Sequence, residues 1–245
     1  MIKVEKIDVW GFEHAVRGMR NPLNSWNKSD SYYCDDKHCG SCKQNPETRN
    51  CSQPDGFVVG KNDLALMQRL YKAGPEHRTY ARMIQVSMDI TAPLYWWKEM
   101  DRYTVGKSQV SCSTMHKIAA KEFELNDFSH EHLLDESIEL FKTTIDSLNQ
   151  WRNKYIIASK IDDIVGADLL PSKKTLWWQM IQLLPSSYNQ KRTVTMNYEN
   201  VVTMIRQRTG HKLDEWNDFV SILKDLPYVK DIMNAIKETT NEANI

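Results

Sequence analysis

The sequence has no excess of either charge. Its 32 lysines and arginines balance 32 aspartates and glutamates, so the formal net charge of the 245 residues is zero. Without a general positive field, we expect no binding to extended nucleic acid or to an anionic membrane surface. Any anionic ligand must therefore be small, and it must be met by local side chains.

Long apolar runs and sorting signals are also missing. No apolar run approaches the roughly 20 residues that a membrane-spanning helix needs. Residues 1–14 lack the basic and then apolar layout of a secretory signal peptide. We therefore expect a cytoplasmic protein, and its 245 residues can bury a core without help from disulfides. A single domain over 1–245 is predicted, with 27–58 as an inserted cysteine-rich loop.

Cysteine is scarce, and the fifth cysteine, Cys112, stands apart from a close group of four. That group has the spacing C-x4-C-x2-C-x8-C and comprises Cys34, Cys39, Cys42 and Cys51. Four thiolates in one polar loop favour structural zinc, whereas plant-type iron–sulfur ligation has its fourth cysteine much further along. Incidental cysteines in a reduced, exposed loop are the alternative, but exposed thiols oxidise readily. Protein purified without chelator should carry about one equivalent of zinc, and less than about half would contradict this prediction.

Hydrophobic periodicity predicts many helices and few strands. Alternation with a period of two indicates strands at 2–9 and 83–90. Helical spacing indicates helices at 11–19, 63–72, 94–100, 129–159, 173–184, 193–208, 213–224 and 228–240. This pattern predicts an α+β fold in which a helix-rich domain surrounds a small antiparallel sheet.

The residues around the 83–90 strand follow a recognisable order. Glu76-His77-Arg78-Thr79 precedes the strand, Ala92-Pro93 follows it, and an aromatic helix ends in Asp101-Arg102-Tyr103. This order resembles the flavin-dependent thymidylate synthases. In that family a Gly-His-x-Ser/Thr turn, an alternating strand and an Ala-Pro pair precede the signature R-H-R-x-x-S-x-N-x-x-S-x-R-Y. The first arginine of the signature then falls on Arg102.

A second block supports the resemblance independently. The segment 184–197 has the spacing of the family's Leu-Pro and Asn segment, and the next helix reaches Arg208, where the family has its pyrimidine-contacting arginine. His211 lies one residue short of the family's usual histidine. Residues 19–22, Met-Arg-Asn-Pro, stand where the family has Ala-Arg-x-Ser. The resemblance covers about residues 1–220, with the cysteine loop as an insertion.

The resemblance implies a function and a set of site residues. It implies reductive methylation of a deoxyuridylate-type pyrimidine nucleotide by FAD, with NADPH and methylenetetrahydrofolate as co-substrates, in a homo-oligomer that is a tetramer in the family. Catalytic roles fall on Arg208 and His77. Cofactor contacts fall on Arg102, Asn197, Thr203 and His211. Substrate contacts are predicted for Ser111, Cys112, Ser113, Gln190, Lys191, Arg192 and Arg20.

Local chemistry supports some of these assignments and leaves alternatives open. The polar run 186–190, followed by Lys191 and Arg192, is typical of a loop between helices that cradles a phosphate, and a solvated turn is the alternative. Arg208 near a helix C-terminus is also favoured by the helix dipole alone. A structural hydrogen bond is the alternative for His77, and a small buried apolar role is the alternative for Cys112.

The sequence departs from the family at charged positions. Thr104, Gln109 and Thr114-Met115 replace the second Arg, the Asn and the final Arg-Tyr of the signature, and Glu199 stands where the family has a cofactor-holding Arg. Charge-assisted bonds supply much of the affinity for a phosphate. Two functions therefore stay open: a divergent enzyme of this type, and a flavin-free nucleotide-binding or partner-binding protein that retains the fold.

Overall fold

The computed structural model describes residues 2–34, 56–161 and 171–242. A 3-10 helix covers Pro75–Arg82. The other main elements are, in chain order, β1 (Lys3–Trp10), α1 (Phe12–Arg20), β2 (Tyr32–Tyr33), β3 (Phe57–Val58), α2 (Lys61–Ala73), β4 (Gln85–Pro93), α3 (Leu94–Met100), β5 (Lys107–Ser111), α4 (Thr114–Lys117), α5 (Asp135–Ile161), α6 (Lys173–Leu183), β6 (Asn189–Asn197), α7 (Tyr198–Arg208), α8 (Asp214–Lys224) and α9 (Val229–Glu242).

Two small sheets accompany these helices. The larger has four strands in the order β1-β4-β6-β5, and the smaller pairs β2 with β3 in antiparallel register. Helices dominate, so the predicted α+β class with a small antiparallel sheet is confirmed. Within the described segments, no helix combines the length and the apolar composition needed to cross a bilayer.

The chain divides into two compact units. Unit 1 comprises Met1–Lys3, Ile90–Arg102 and Val110–Arg192. Unit 2 comprises Val4–Asp89, Tyr103–Gln109 and Thr193–Ile245. The predicted single domain with an insertion at 27–58 stays a prediction, because residues 35–55 lie outside the described residues.

Unit 1 is organised by the packing of α5 against α6. The apolar residues of α5 recur at helical spacing, which brings Ile145 and Leu148 into one buried cluster with Met180 of α6. Phe128 belongs to the same cluster, and its ring meets Phe141 edge-on at a centroid distance of 5.1 Å. Each fully buried apolar side chain of this size contributes about 1.5–3 kcal/mol, so burial of this cluster favours the folded state by several kcal/mol.

Unit 2 packs α2 against α9 and α7 against α8. Phe12 of α1 meets the rings of Tyr198 and Tyr228 edge-on, with centroid distances of 5.5 and 5.3 Å. The Tyr198 hydroxyl donates to the carbonyl of Pro227 at 2.9 Å. Burial raises the pKa of Tyr198 well above its ordinary value, so the hydroxyl stays protonated and can keep this bond.

Strand β6 takes the place of the predicted first turns of the 193–208 helix. Val194 and Met196 are fully buried whereas Thr195 between them is only partly buried, which is a period of two. The strand lies between β4 and β5 in the sheet. The predicted helix over 193–197 is therefore wrong. The prediction that residues 191–192 lie in a loop between helices is also wrong, since they lie on this strand.

The long helix α5 begins later than its periodicity suggested. Ser129 was expected near its start, but the helix begins at Asp135. The backbone N–H of Ser129 instead donates to the Ser187 carbonyl at 2.8 Å, and its hydroxyl bonds Tyr95 at 3.0 Å. These tertiary hydrogen bonds hold residue 129 outside the helix, which a local pattern could not show.

Candidate functional site

The predicted substrate-binding residues of unit 1 meet at the ends of two neighbouring strands. The backbone N–H of Cys112, just after β5, donates to the Lys191 carbonyl on β6 at 2.9 Å. The Gln190 side chain donates to the Cys112 carbonyl at 3.0 Å. We name this group the β5–β6 cluster, and it comprises Ser111, Cys112, Ser113, Gln190, Lys191 and Arg192. The structure thus brings together two groups of three residues that lie 78 positions apart in the sequence.

Arg192 is the most firmly held member of the β5–β6 cluster. Its guanidinium donates to Asp101 at 2.8 Å and to the Gln190 side chain at 2.9 Å, and it lies 4.2 Å from the centre of the Trp97 ring. The Trp97 indole N–H donates to the Gln190 carbonyl at 2.9 Å. The cation is therefore fixed in orientation by an acid, an amide and an aromatic face before any ligand arrives.

The exposed part of the cluster offers hydrogen-bond donors. Ser111, Cys112 and Ser113 are all exposed. The Ser113 hydroxyl accepts the backbone N–H of His116 at 3.1 Å and so caps the short helix α4, which leaves its own proton available. The alternative of a buried apolar role for Cys112 is wrong, because the residue is exposed. Two hydroxyls, a thiol and the Lys191 ammonium are therefore the polar groups that the cluster offers to a small oxyanion.

Arg208 and His211, predicted as catalytic and cofactor residues, are adjacent in unit 2. The Arg208 Nε donates to the Tyr103 hydroxyl at 2.9 Å, and one terminal nitrogen lies 3.0 Å from the His211 Nε2. The guanidinium also lies 4.6 Å from the centre of the Trp216 ring. The Nδ1 of His211 faces the backbone N–H of Leu213 at 3.1 Å. A neutral imidazole accepts at only one ring nitrogen, so His211 accepts from either Arg208 or Leu213 and carries a proton on the other nitrogen.

Asn197, another predicted cofactor residue, caps helix α7. Its side-chain oxygen accepts the Asn200 N–H at 3.0 Å, and it is 8% exposed. The Asn200 amide donates in turn to the Val105 carbonyl at 2.7 Å. Gly106 has a φ of +72°, and a Cβ there would lie 2.3 Å from the Asn197 amide nitrogen. The segment before β5 therefore covers the N-terminus of α7 closely.

The other predicted cofactor positions belong to different units. Arg102 is exposed just after α3 in unit 1, and Thr203 is partly buried on α7 in unit 2. Glu199, at the position of a cofactor-holding arginine, is paired with Arg82. The side-chain oxygen of Asn197 is already used as a helix cap, and His211 contacts Arg208 and Leu213. Two of the predicted cofactor positions thus have partners within the chain, and a third position carries an acid where the family has a cation.

Arg20 has a structural partner and does not offer a free cation. It is 5% exposed, and its Nε lies 2.5 Å from the carboxylate of the fully buried Asp63. The other carboxylate oxygen of Asp63 accepts the hydroxyls of Ser29 and Ser31, each at 2.6 Å. Burial alone would raise the pKa of Asp63, but these hydrogen bonds and the Arg20 guanidinium outweigh it and lower the pKa.

The loop that carries Ser29 and Ser31 is also hydrogen-bonded to the first turn of α2. The Asp30 carboxylate accepts the backbone N–H groups of Asn62 and Asp63 at 2.9 and 3.1 Å, so it caps the helix from outside its own sequence. Sequence reasoning missed the role of Asp63. An acidic residue in the first turn of a helix is common for dipole reasons, and nothing local indicates that this one is buried.

His77 lies at the rim of an open cleft in unit 2. Its side chain is 50% exposed, and its Nε2 is 3.5 Å from the carboxylate of Glu76, which is itself exposed. The cleft is lined by residues that include His77 and Arg20. Arg208 is not among the described residues that line it, so the structure does not join the two predicted catalytic residues there.

Three of the four predicted zinc ligands lie outside the described residues. Cys34 is partly buried, and its backbone N–H donates to the Gly56 carbonyl at 2.7 Å, at the base of the β2–β3 pair. Cys39, Cys42 and Cys51 lie outside the described residues. The zinc site therefore stays a prediction.

Comparison with known proteins identifies solved structures that share this fold. The sequence matches no protein-family model and has no significant match among curated proteins. The structure of thymidylate synthase X (ThyX) from Helicobacter pylori with FAD and dUMP aligns over 97% of this chain and 100% of that chain, at 15% identity and a TM-score of 0.59. A second structure of that enzyme with FAD and dUMP covers 91% of this chain and 93% of its own, at 16% identity and a TM-score of 0.55.

A third similar structure is a nucleotide methylase. The UMP/dUMP methylase PolB from Streptomyces cacaoi, bound with 5-Br dUMP, covers 96% of this chain and 95% of its own, at 12% identity and a TM-score of 0.54. The chain is thus an α+β protein with a ThyX-like fold. This confirms the resemblance to flavin-dependent thymidylate synthases at the level of the fold.

Proposed function

We propose that the chain binds a pyrimidine nucleoside monophosphate at the β5–β6 cluster and does so without a bound flavin. The observation that carries this proposal is that six predicted substrate residues, one of them an arginine of fixed orientation, meet where β5 ends and β6 begins. The ThyX and PolB structures were obtained with dUMP and with 5-Br dUMP, which supports a pyrimidine nucleotide as the ligand class. Glu199, an acid where the family has a cofactor-holding arginine, favours binding without the cofactor.

The chemistry of the cluster suits a phosphate monoester. Ser111 and Ser113 supply hydroxyl donors, Lys191 supplies positive charge, and Arg192 keeps guanidinium N–H groups beyond those that Asp101 and Gln190 accept. Hydrogen bonds in which the acceptor is ionised are about twice as strong as neutral ones. Because Asp101 and Trp97 already orient Arg192, binding does not have to order that long side chain, a cost of about 0.5–1.5 kcal/mol.

Replacing Arg192 with glutamine tests the site. Nucleotide affinity is expected to fall at least about tenfold, since a charge-assisted contact is worth about 1.5–3 kcal/mol. Titration calorimetry with dUMP measures the change. Arg152→Gln is the matched control, because Arg152 is also in unit 1 and donates to a backbone carbonyl, that of Ala119, away from the cluster. An equal loss in both variants, or no dUMP binding by the wild type, would overturn the proposal.

A divergent methylase is the second candidate function. The observation that favours it is Arg208, which is held against Tyr103 and Trp216 at the position where the resemblance puts the pyrimidine-contacting arginine. This candidate needs FAD, with NADPH and methylenetetrahydrofolate as co-substrates and a homo-oligomer as the assembly. A visible absorbance spectrum after soaking with FAD and desalting separates the two functions. Retained flavin bands would favour the methylase, and a colourless protein favours binding alone.

A further inference from the structure

The acid that orients Arg192 also carries charge into the β5–β6 cluster. The Asp101 carboxylate lies 2.8 Å from a terminal nitrogen of the Arg192 guanidinium, and the two side chains are 43% and 12% exposed. Asp101 directly follows helix α3, and its backbone N–H donates to the Trp97 carbonyl at 2.8 Å. A carboxylate at this end of a helix opposes the helix dipole. Stabilisation of α3 therefore does not explain why an acid stands at this position.

The charged side chains of the cluster, taken with this acid, leave only a small positive excess. Lys191 and Arg192 contribute two positive formal charges, and Asp101 contributes one negative charge. A phosphate monoester carries a charge of about −1.5 to −2 at pH 7. One such group already exceeds the net positive charge of these three side chains, and a diphosphate or triphosphate exceeds it further.

The position of Asp101 makes the cluster sensitive to a second phosphate. A guanidinium carries five N–H groups on one planar frame, and Asp101 and Gln190 accept two of those of Arg192. A phosphate that accepts the remaining N–H groups is held by the same frame as the Asp101 carboxylate, about 4–6 Å away, a distance at which like charges repel. Arg192 offsets this repulsion for the phosphate that it binds, but not for phosphates attached beyond it.

Trp97 makes these charge effects stronger than they would be on an open surface. Its ring centre lies 4.2 Å from the Arg192 guanidinium, and the residue is 1% exposed. The ring excludes water from one side of the guanidinium, and charges attract and repel more strongly in such surroundings. Asp101 is more exposed than Arg192, so dissolved salt still screens its carboxylate.

We propose that Asp101 is a specificity-determining residue, which makes the β5–β6 cluster favour a nucleoside monophosphate over the corresponding diphosphate and triphosphate. This inference rests on the proposed nucleotide binding and adds to it the residue that selects the number of phosphates. Asp101 acts by repelling the additional phosphates. Its carboxylate also accepts a hydrogen bond from Arg192, and asparagine keeps an acceptor oxygen while it removes the charge.

Titration calorimetry with dUMP and with dUTP, in the absence of divalent cations, tests this role. The wild type should bind dUMP more tightly than dUTP. Asp101→Asn should raise the ratio of dUTP affinity to dUMP affinity at least about fivefold at 0.1 M salt, and the change should shrink at 1 M salt, where the screening length falls from about 10 Å to about 3 Å. Asp146→Asn is the matched control, because it removes the same charge from an exposed position on α5, outside the cluster. Its ratio should stay within about twofold of the wild type.

The outcomes separate this inference from the nucleotide proposal. If the wild type binds dUMP and Arg192→Gln weakens that binding, but Asp101→Asn has the same affinity ratio as Asp146→Asn, only the role of Asp101 is wrong. An effect of Asp101→Asn that is equally large at 1 M salt would also overturn it, because repulsion between charges is screened. Tighter binding of dUTP than of dUMP by the wild type would contradict it as well. If the wild type binds no dUMP, the nucleotide proposal fails and this inference fails with it.

Discussion

Asp63→Asn is expected to lower the free energy of unfolding by about 3–5 kcal/mol, as is typical when one partner of a buried ion pair is removed. Asp63 is fully buried and pairs with Arg20, which is 5% exposed, so the variant leaves a buried guanidinium without its counter-charge. The hydroxyls of Ser29 and Ser31 lose their charged acceptor as well. Urea unfolding followed by fluorescence measures the loss.

Asp30→Asn is the matched control for this prediction. Asp30 belongs to the same group of side chains, but it is exposed and caps α2. Asparagine keeps one acceptor oxygen, so this variant should cost less than the roughly 0.5–2 kcal/mol of a cap removed by alanine. If Asp63→Asn lowers the free energy of unfolding no more than Asp30→Asn does, the buried ion pair is not the large contribution to stability predicted here. The double variant Arg20→Met, Asp63→Leu removes both charges and should recover part of the stability.

The same group predicts a direction for the pH dependence of stability. The pKa of Asp63 is lower in the fold than its ordinary value of 3.8. A carboxyl whose pKa is lowered by folding contributes its stability above the unfolded pKa and loses it as the pH falls through the folded pKa. The wild type should therefore lose stability more steeply than Asp63→Asn as the pH falls below 3.8.

Gly11→Ala is expected to be the second large effect on stability. Gly11 has a φ of +96°, and a Cβ there would lie 2.3 Å from the backbone carbonyl oxygen of Met83. A left-handed backbone costs an L-residue about 1–2 kcal/mol, and the overlap with backbone adds a further cost because neither chain segment can turn aside cheaply. We expect a total loss of at least about 3 kcal/mol, measured by urea unfolding.

Gly210→Ala isolates the contribution of the close approach. Gly210 also has a positive φ, +74°, but a Cβ there would meet nothing within 4 Å among the described atoms. This variant should cost only the conformational part, about 1–2 kcal/mol. Equal losses at the two glycines would mean that the contact between residue 11 and Met83 is not as tight as described.

Elements with clear periodicity were well predicted. The alternating residues of 83–90 indicated the strand that the structure has as β4, and the helical spacing of 63–72 indicated α2. The order of motifs around β4 and after residue 184 was enough to identify the fold by resemblance. These features depend on a few residues in fixed sequence order, so they survive at 12–16% identity.

The partners of a side chain were not indicated by the sequence. Arg20 is buried against a residue 43 positions away, and Asn197 caps its own helix, while their predicted ligand contacts stay predictions. Residues 191–192 were predicted in a loop, yet they lie on a strand between two others.

The sequence by itself determined the α+β class, most element positions, the balance of charge and the family whose fold the chain shares. Local periodicity and composition decide these properties, because each residue's preference for helix, strand or water acts over a few neighbours. Only the tertiary structure decided which charges are neutralised, which amides are used as caps and where a cleft opens. Those outcomes depend on contacts between residues far apart in the chain, such as Arg20 with Asp63 and Arg192 with Asp101.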